Sequence, residues 1–312
     1  MRRFRVAEQS MLPTLRPGEE IVATDSRPAR PGDLVVFSHP DRNHFWMVKR
    51  MVSPREPLEQ GLAWVVSDNP EVTRADSRTL GPVPLASLMP VVTRLDEGTF
   101  VEACRLLEAE DQALAKALEV YGIPEFWRRR EGLPTLVWLI LEQQVSLASG
   151  LATYRRLGEA LGEMTAEALA GLDVDGLRAL GITRQKAAYL VELAGGVIRG
   201  EVDPDSWGKL SYPEARERLL ALRGVGPWTA DTYLLSVAGH PDVFPTGDRA
   251  LQVGTAEVMG LSSVPDVEEL EILSQPWRPV RAVAARIIWH AYLAARGKAE
   301  PADPVHGPSK TA

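Results

Sequence analysis

The 312-residue chain has one cysteine, Cys104, which excludes an internal disulfide and a four-cysteine iron–sulfur cluster. Its five histidines are scattered without metal-ligand spacing, so no metal and no cofactor is expected. No apolar run approaches the roughly 20 residues that a membrane-spanning helix needs. The basic start Met-Arg-Arg-Phe-Arg is not followed by the apolar stretch of a secretion signal. These absences predict a cytoplasmic protein with no membrane partner. Positive charge is also in short supply: 35 Lys and Arg face 42 Asp and Glu, a net charge of −7. A polyanion would have to be held by a local patch or by backbone amides, not by a global field. No internal repeat is present. The length fits about two domains, either of which could bury its own core.

What is present falls into two halves with different grammar. Residues 1–95 are rich in Pro, Gly and Asp, broken by short apolar runs such as Ile21–Ala23, Leu34–Phe37, Trp46–Val48 and Trp64–Val66. Runs of this length, bounded by turn residues such as Arg-Pro-Gly-Asp at 30–33, predict a compact, mostly β domain. From Asp96 long amphipathic stretches take over: Phe100–Tyr121, Pro134–Gly158, Thr165–Leu172, Arg184–Arg199, Tyr212–Leu222, Thr229–Val237, Ala250–Met259 and Pro279–Arg296. Their helical spacing predicts an all-α domain over 96–300. Residues 301–312 carry Pro, Gly and Lys with little apolar content and read as a disordered tail. The change near 93–98 predicts two separate cores.

The most informative stretch is Leu222-Arg223-Gly224-Val225-Gly226-Pro227-Trp228-Thr229-Ala230. One helix ends, two glycines permit a tight turn, and proline suits the first turn of the next helix. Such a turn aims amide N–H groups outward at a helix N-terminus, where they can hold a phosphate without any lysine. Taken alone, Gly-Val-Gly equally fits a plain corner between helices. Further on stands Asp242-Val243-Phe244-Pro245-Thr246-Gly247-Asp248-Arg249. Earlier come Ile140-Leu141-Glu142-Gln143-Gln144-Val145-Ser146 and Leu180-Gly181-Ile182 with Lys186-Ala187; later, Pro276-Trp277-Arg278-Pro279-Val280-Arg281 runs on to Trp289.

Together and in this order, these motifs resemble the helix-hairpin-helix DNA glycosylases, of the 3-methyladenine DNA glycosylase II type, over about two thirds of the chain. The resemblance implies double-stranded DNA with damaged bases as partner and Asp248 as the catalytic carboxylate. It implies DNA contacts from Gly224, Val225, Gly226, Thr229 and Gln144. Gln144 would be the wedge that fills the space left by a base flipped out of the duplex. Trp228, Tyr233 and Trp289 are candidates for an aromatic base pocket, although each also fits core packing. Asp248 also fits the N-cap of the helix that follows it. Bifunctional members carry a Schiff-base lysine just after the hairpin glycines. Trp228 stands there, which implies hydrolysis of the glycosidic bond without strand cleavage.

The β half carries a second set of motifs. They are Ser10-Met11-Leu12-Pro13-Thr14-Leu15, Pro31-Gly32-Asp33-Leu34-Val35-Val36, Val48-Lys49-Arg50-Met51-Val52, and Ser67-Asp68-Asn69 followed by Asp76-Ser77-Arg78 and Gly81-Pro82-Val83-Pro84. In order and spacing they resemble soluble signal-peptidase-like serine/lysine peptidases, including those that trim a leader from nickel superoxide dismutase. The resemblance implies Ser10 as nucleophile, Lys49 as general base once burial lowers its pKa, an Asp76–Arg78 ion pair that organises the loop, and a peptide substrate. The chain departs from that pattern at Glu8, where many members have a small or hydroxyl residue, and at Ser67, where they have glycine. The serine that often supports the lysine is out of register, with Thr73 the nearest substitute.

Three functions remain open on sequence grounds. The first is an alkylated-base glycosylase fused to a peptidase-like domain. The second is a Ser/Lys endopeptidase with a DNA-binding helical module. The third is a purely structural DNA-binding protein.

Overall fold

In the first half, alternating apolar residues pair into two antiparallel sheets. A computed structural model of the chain describes all residues except Arg55, Arg74, Trp127 and 299–312, so the tail expected at 301–312 lies outside the described residues. Strands β1 (Arg2–Arg5) and β2 (Glu20–Ala23) form a two-stranded ribbon. The five-stranded sheet is built from β3 (Leu34–Ser38), β4 (Trp46–Val52), β5 (Leu62–Val66), β6 (Val83–Pro84) and β7 (Met89–Pro90), in the order β6-β5-β4-β3-β7. A one-turn helix, α1 (Ser77–Leu80), lies between β5 and β6. The period of two along β4 turns Met47, Lys49 and Met51 to a buried face. Lys49 is the charged member of that otherwise apolar row. The register sets Val35 opposite Lys49 and Arg50 opposite Val66.

The second half is helical throughout its regular elements, as its periodicity predicts: α2 (Glu97–Glu110), α3 (Gln112–Tyr121), α4 (Leu133–Glu142), α5 (Leu147–Leu161), α6 (Ala166–Ala170), α7 (Val174–Ala179), α8 (Arg184–Ile198), α9 (Tyr212–Leu220), α10 (Pro227–Tyr233), α11 (Arg249–Met259), α12 (Val267–Ser274) and α13 (Arg281–Ala294). Two long predicted stretches are each cut in two. Asp111 leaves helical geometry (φ −133°) and caps α3 by accepting from the Ala113 and Leu114 amides. Gln144 takes a left-handed backbone (φ 56°), and Ser146 then caps α5 by accepting from the Ser149 amide. Apart from Pro134, helix α4 is buried along its length and forms the spine of the core.

The two cores are not sealed from each other. Val22 and Val92 from the β half pack in the same cluster as Phe100, Leu107 and Leu136. The Leu95 amide donates to Gly239 O at 2.7 Å, and Arg94 donates to Ala238 O at 2.8 Å. Thr24 donates to Glu102 Oε2 at 2.6 Å. Arg3 of β1 reaches the carbonyls of Pro276 and Arg278 and the Glu110 carboxylate. The sequence boundary near 93–98 is therefore also a packed junction.

Candidate active site

Asp248 is the N-cap of α11, and its Oδ1 accepts from the Leu251 amide at 2.7 Å. Capping does not exhaust the carboxylate. Trp289, on α13, donates its indole N–H to the same oxygen at 3.0 Å, and Trp228, on α10, donates to Oδ2 at 2.7 Å. A carboxylate offers about four lone-pair sites, so three donors orient it and leave acceptor capacity over. Asp248, Trp228 and Trp289 are each half-buried, neither sealed in the core nor loose on the surface. Both indoles thus converge on Asp248, and their position is set by a hydrogen bond as well as by packing.

Tyr233, expected with them in a base pocket, lies elsewhere. It is fully buried, edge-on to Trp207, and its hydroxyl accepts from the Gly132 amide at 3.1 Å and donates to Pro204 O at 3.3 Å. Tyr233 stands five residues after Trp228, so at about 100° per residue it lies roughly 140° round the helix from it, on the side that faces the core. Thr232 precedes it, buried, with a hydroxyl that has no hydrogen-bond partner among the described residues.

The hairpin runs from α9 through Gly224 (φ 86°) to Gly226, the N-cap of α10. Gly224 is required twice over: its backbone is left-handed, and a Cβ would meet the Tyr189 ring at 2.3 Å. No side chain caps the start of α10, and Gly226 and Pro227 are exposed. Val225 does not share this exposure. Its side chain is buried and its amide donates to Leu222 O at 3.1 Å. Thr229 is also buried, and its hydroxyl accepts from the Gln143 side chain at 2.8 Å. The side chains of Val225 and Thr229 therefore build the hairpin from within, and the exposed backbone belongs to Gly226 and its neighbours.

Gln144 is exposed between α4 and α5 in a left-handed conformation that few non-glycine residues adopt. Val145 and Leu147 beside it are exposed to 44% and 42%. A left-handed backbone, exposure and apolar neighbours thus meet at Gln144. The Gln143 amide group donates both to Gly224 O and to Thr229 Oγ1 at 2.8 Å, fastening this loop to the hairpin. Only the spacing of the two glutamines was visible in the sequence; which of them faces inward was not. Glu142 was likewise unsignalled. It is buried, and one of its oxygens has no partner among the described residues. Burial pushes its carboxyl above the ordinary range; Arg129, at 3.7 Å, opposes this and the Asp248 charge adds to it.

In the β half, Ser10 and Lys49 meet. Lys49 Nζ lies 3.0 Å from Ser10 Oγ, and both residues are buried. Burial lowers the Lys49 pKa, against the opposing pull of Asp76 and Glu8. The Ser10 carbonyl accepts from the Asn69 amide at 2.9 Å, which sets the 67–69 segment beside the pair. Asp76 is fully buried and bonded to the Arg78 side chain and amide and to the Ser67 amide. Desolvation opposes its ionisation, but these bonds outweigh it and bring its carboxyl down to about 2. Thr73 accepts instead from the Ala75 amide at 3.0 Å. Continuing the β4–β5 register from Arg50–Val66 puts Ser67 across from Lys49, with its buried hydroxyl lacking a hydrogen-bond partner among the described residues.

Comparison with known proteins bears on the helical half. Residues 137–279 match the family described as HhH-GPD superfamily base excision DNA repair protein. A DNA-3-methyladenine glycosylase of Bacillus subtilis is 26% identical over 184 residues, which is 55% of this chain and 59% of the relative. The chain thus spans less than two thirds of that relative's length. Among solved structures, a DNA-3-methyladenine glycosidase of Bacillus halodurans is 26% identical with a TM-score of 0.52, covering 63% of this chain and 92% of that one. The Schizosaccharomyces pombe 3-methyladenine DNA glycosylase in complex with abasic DNA, at 24% identity and a TM-score of 0.57, covers 60% of this chain and 95% of that one and shares the fold. Among the described residues no helix is long and apolar enough to cross a membrane.

Proposed function

With an HhH-GPD domain at residues 137–279 as the premise, we propose that the chain is a monofunctional DNA glycosylase that hydrolyses the N-glycosidic bond of alkylated bases, of the 3-methyladenine class, in double-stranded DNA. One observation carries this assignment: the Asp248 carboxylate is held by two indole N–H groups from separate helices, α10 and α13, at the foot of the hairpin. The bond from the sugar to the base breaks and its electron pair leaves with the base. An N-alkylated purine is already cationic, so it departs neutral without a strong general acid. The sugar passes through an oxocarbenium-like state, and the anionic Asp248 stabilises the positive charge that develops there. Water adds to the sugar carbon and gives up a proton. Trp228 and Trp289 hold the carboxylate and offer aromatic surface to the cationic base. Gln144 enters the stack behind the flipped nucleotide, and the exposed backbone at Gly226 meets a phosphate. No lysine follows the hairpin glycines, so the reaction stops at the abasic site. The test is base release from duplexes carrying single lesions, with borohydride added to trap any covalent adduct. A lysine-linked adduct, or release from wild-type protein and Asp248→Asn alike, overturns the assignment.

A second activity is supported by a separate observation, the buried 3.0 Å contact between Lys49 Nζ and Ser10 Oγ. With Lys49 neutral, its amine accepts the proton of Ser10 as the hydroxyl attacks a peptide carbonyl; the C–N bond then breaks, Lys49 returns the proton to the leaving amine, and water hydrolyses the ester of the acyl-enzyme. Digestion of a mixed peptide pool, read by mass spectrometry with wild-type protein and Ser10→Ala, tests it. Identical digests abolish it.

A further inference from the structure

Lys186 sits in the first turn of α8, yet its ammonium is spent on another helix. Nζ donates to Leu141 O at 2.8 Å and to Gln143 O at 2.7 Å. Both acceptors belong to the last turn and exit of α4, where helical carbonyls run out of amide partners and carry the negative end of the helix dipole. Burial draws the Lys186 pKa below its ordinary value, so this cation occupies a partly desolvated position that its two carbonyl bonds must sustain. The next residue after these acceptors is Gln144 with its φ of 56°. On the other side of the same loop, Gln143 donates to Gly224 O and Thr229 Oγ1. The exit of α4 is therefore tied at two points: to α8 through Lys186 and to the hairpin through Gln143.

We infer that Lys186 and Gln143 form a clamp that holds the 143–147 loop in its strained, exposed form, so that grip on the DNA backbone by the hairpin and insertion of Gln144 into the stack occur as one event. Lys186 is a positioning residue that acts through Gln144; it touches neither the base nor Asp248. The physical reasoning is direct. A non-glycine residue in the left-handed region is strained and persists only where its surroundings over-determine it. Four hydrogen bonds from two side chains supply that constraint, and without them the loop relaxes. A flexible wedge must be ordered on each encounter, which slows flipping without weakening the phosphate contacts.

This inference rests on the glycosylase assignment, and the experiment separates the two. Full-length wild type, Lys186→Met, Lys186→Arg and Gln143→Leu are compared on a duplex holding one N-alkylated purine beside a 2-aminopurine that reports unstacking. A misplacement of the order of 1 Å can cost about 100-fold, and Lys186→Met is expected to lose about 10- to 100-fold in kcat with little change in KM. The fast 2-aminopurine rise should be slowed by the same factor. Gln143→Leu should behave alike, and Lys186→Arg should recover part of the loss because guanidinium can still donate to both carbonyls. Hydrogen exchange without DNA reads the clamp independently: amides 143–147 should exchange faster in Lys186→Met while α8 stays protected. Unchanged unstacking and exchange in Lys186→Met overturn the inference, as does equal loss of duplex affinity and of kcat. A wild type that releases no base overturns the glycosylase assignment instead, and leaves the exchange result to decide the clamp.

Discussion

Asp248 in the helical half and Lys49 in the β half are both ionisable side chains among apolar neighbours, but the chain surrounds them differently. Asp248 is half-buried and receives three N–H donors, two of them indoles, which fix its orientation. Lys49 is buried at 3% exposure beside one hydroxyl, and the first effect of its burial is to disfavour its charge. One half surrounds an ionisable group with donors, and the other strips water from one.

The largest expected effect sharpens the Asp248 side of that comparison. Asp248→Asn keeps the shape and the capping acceptor but removes the charge, and base release should fall by about 1000-fold, the upper end for loss of an electrostatic contributor. Binding to lesion duplex, measured by fluorescence anisotropy, should stay within a few-fold. Trp228→Phe keeps the ring but deletes one donor; excision should drop by about 10-fold, in line with loss of a hydrogen bond to a charged group, with KM for a cationic lesion little changed.

The junction between the halves is the next test. A fragment beginning at Asp96 strips Val22, Val92 and Leu95 from the shared cluster. At about 1.5–3 kcal/mol for each buried apolar side chain, its thermal midpoint should fall by roughly 10–35 °C, since each kcal/mol is worth about 2–4 °C in a domain of this size. Excision at a temperature below the new midpoint should persist, because Asp248 and both indoles remain. Complete loss of activity at such a temperature would make the β half part of the DNA cleft, and the loss would then vary with salt.

Lys49→Met sharpens the other side. The folded pKa of Lys49 is lowered, so the folded state binds its proton less well than the unfolded state. Burial therefore costs stability at all pH values below that lowered pKa, and the cost disappears as pH rises toward the ordinary lysine value. Lys49→Met should raise the melting temperature at neutral pH, and the gap from wild type should close in alkaline buffer. Peptide cleavage should vanish while base release stays at the wild-type rate. The smallest effect lies at the junction. Burial, with Arg94 adding to it, brings the His240 pKa down to about 4. Stability tied to neutral His240 is intact above the ordinary histidine range and drains away as pH falls from about 6.5 toward 4. His240→Gln should flatten that part of a melting-temperature profile, with little change at pH 8.

Several features were readable in advance because they depend on local chemistry. Gly224, Pro227 and Asp248 each do what their covalent structure favours: left-handed turn, helix start, N-cap. The period-two alternation of β4 and the helical periodicity of α8 follow from side-chain direction alone. The capping box of α12, Asp266 with Glu269, was present in the sequence, although no helix was expected there. Tyr233 was less legible. Its neighbours on the helix offer a pocket and a core on adjacent faces, and only the docking of Trp207 against its ring decides which one it meets.

The sequence by itself determined the two halves, their element types, and the residue kinds that can support each chemistry, because these rest on periodicity, turn stereochemistry and side-chain functional groups. Tertiary structure alone decided that two indoles from α10 and α13 hold Asp248, that Gln143 turns inward while Gln144 stays out, that Lys186 closes the end of α4, and that Lys49 meets Ser10 across 39 residues of sequence. Each of these is a contact between elements far apart in the chain. Its direction depends on how whole faces pack, and no local rule carries that information.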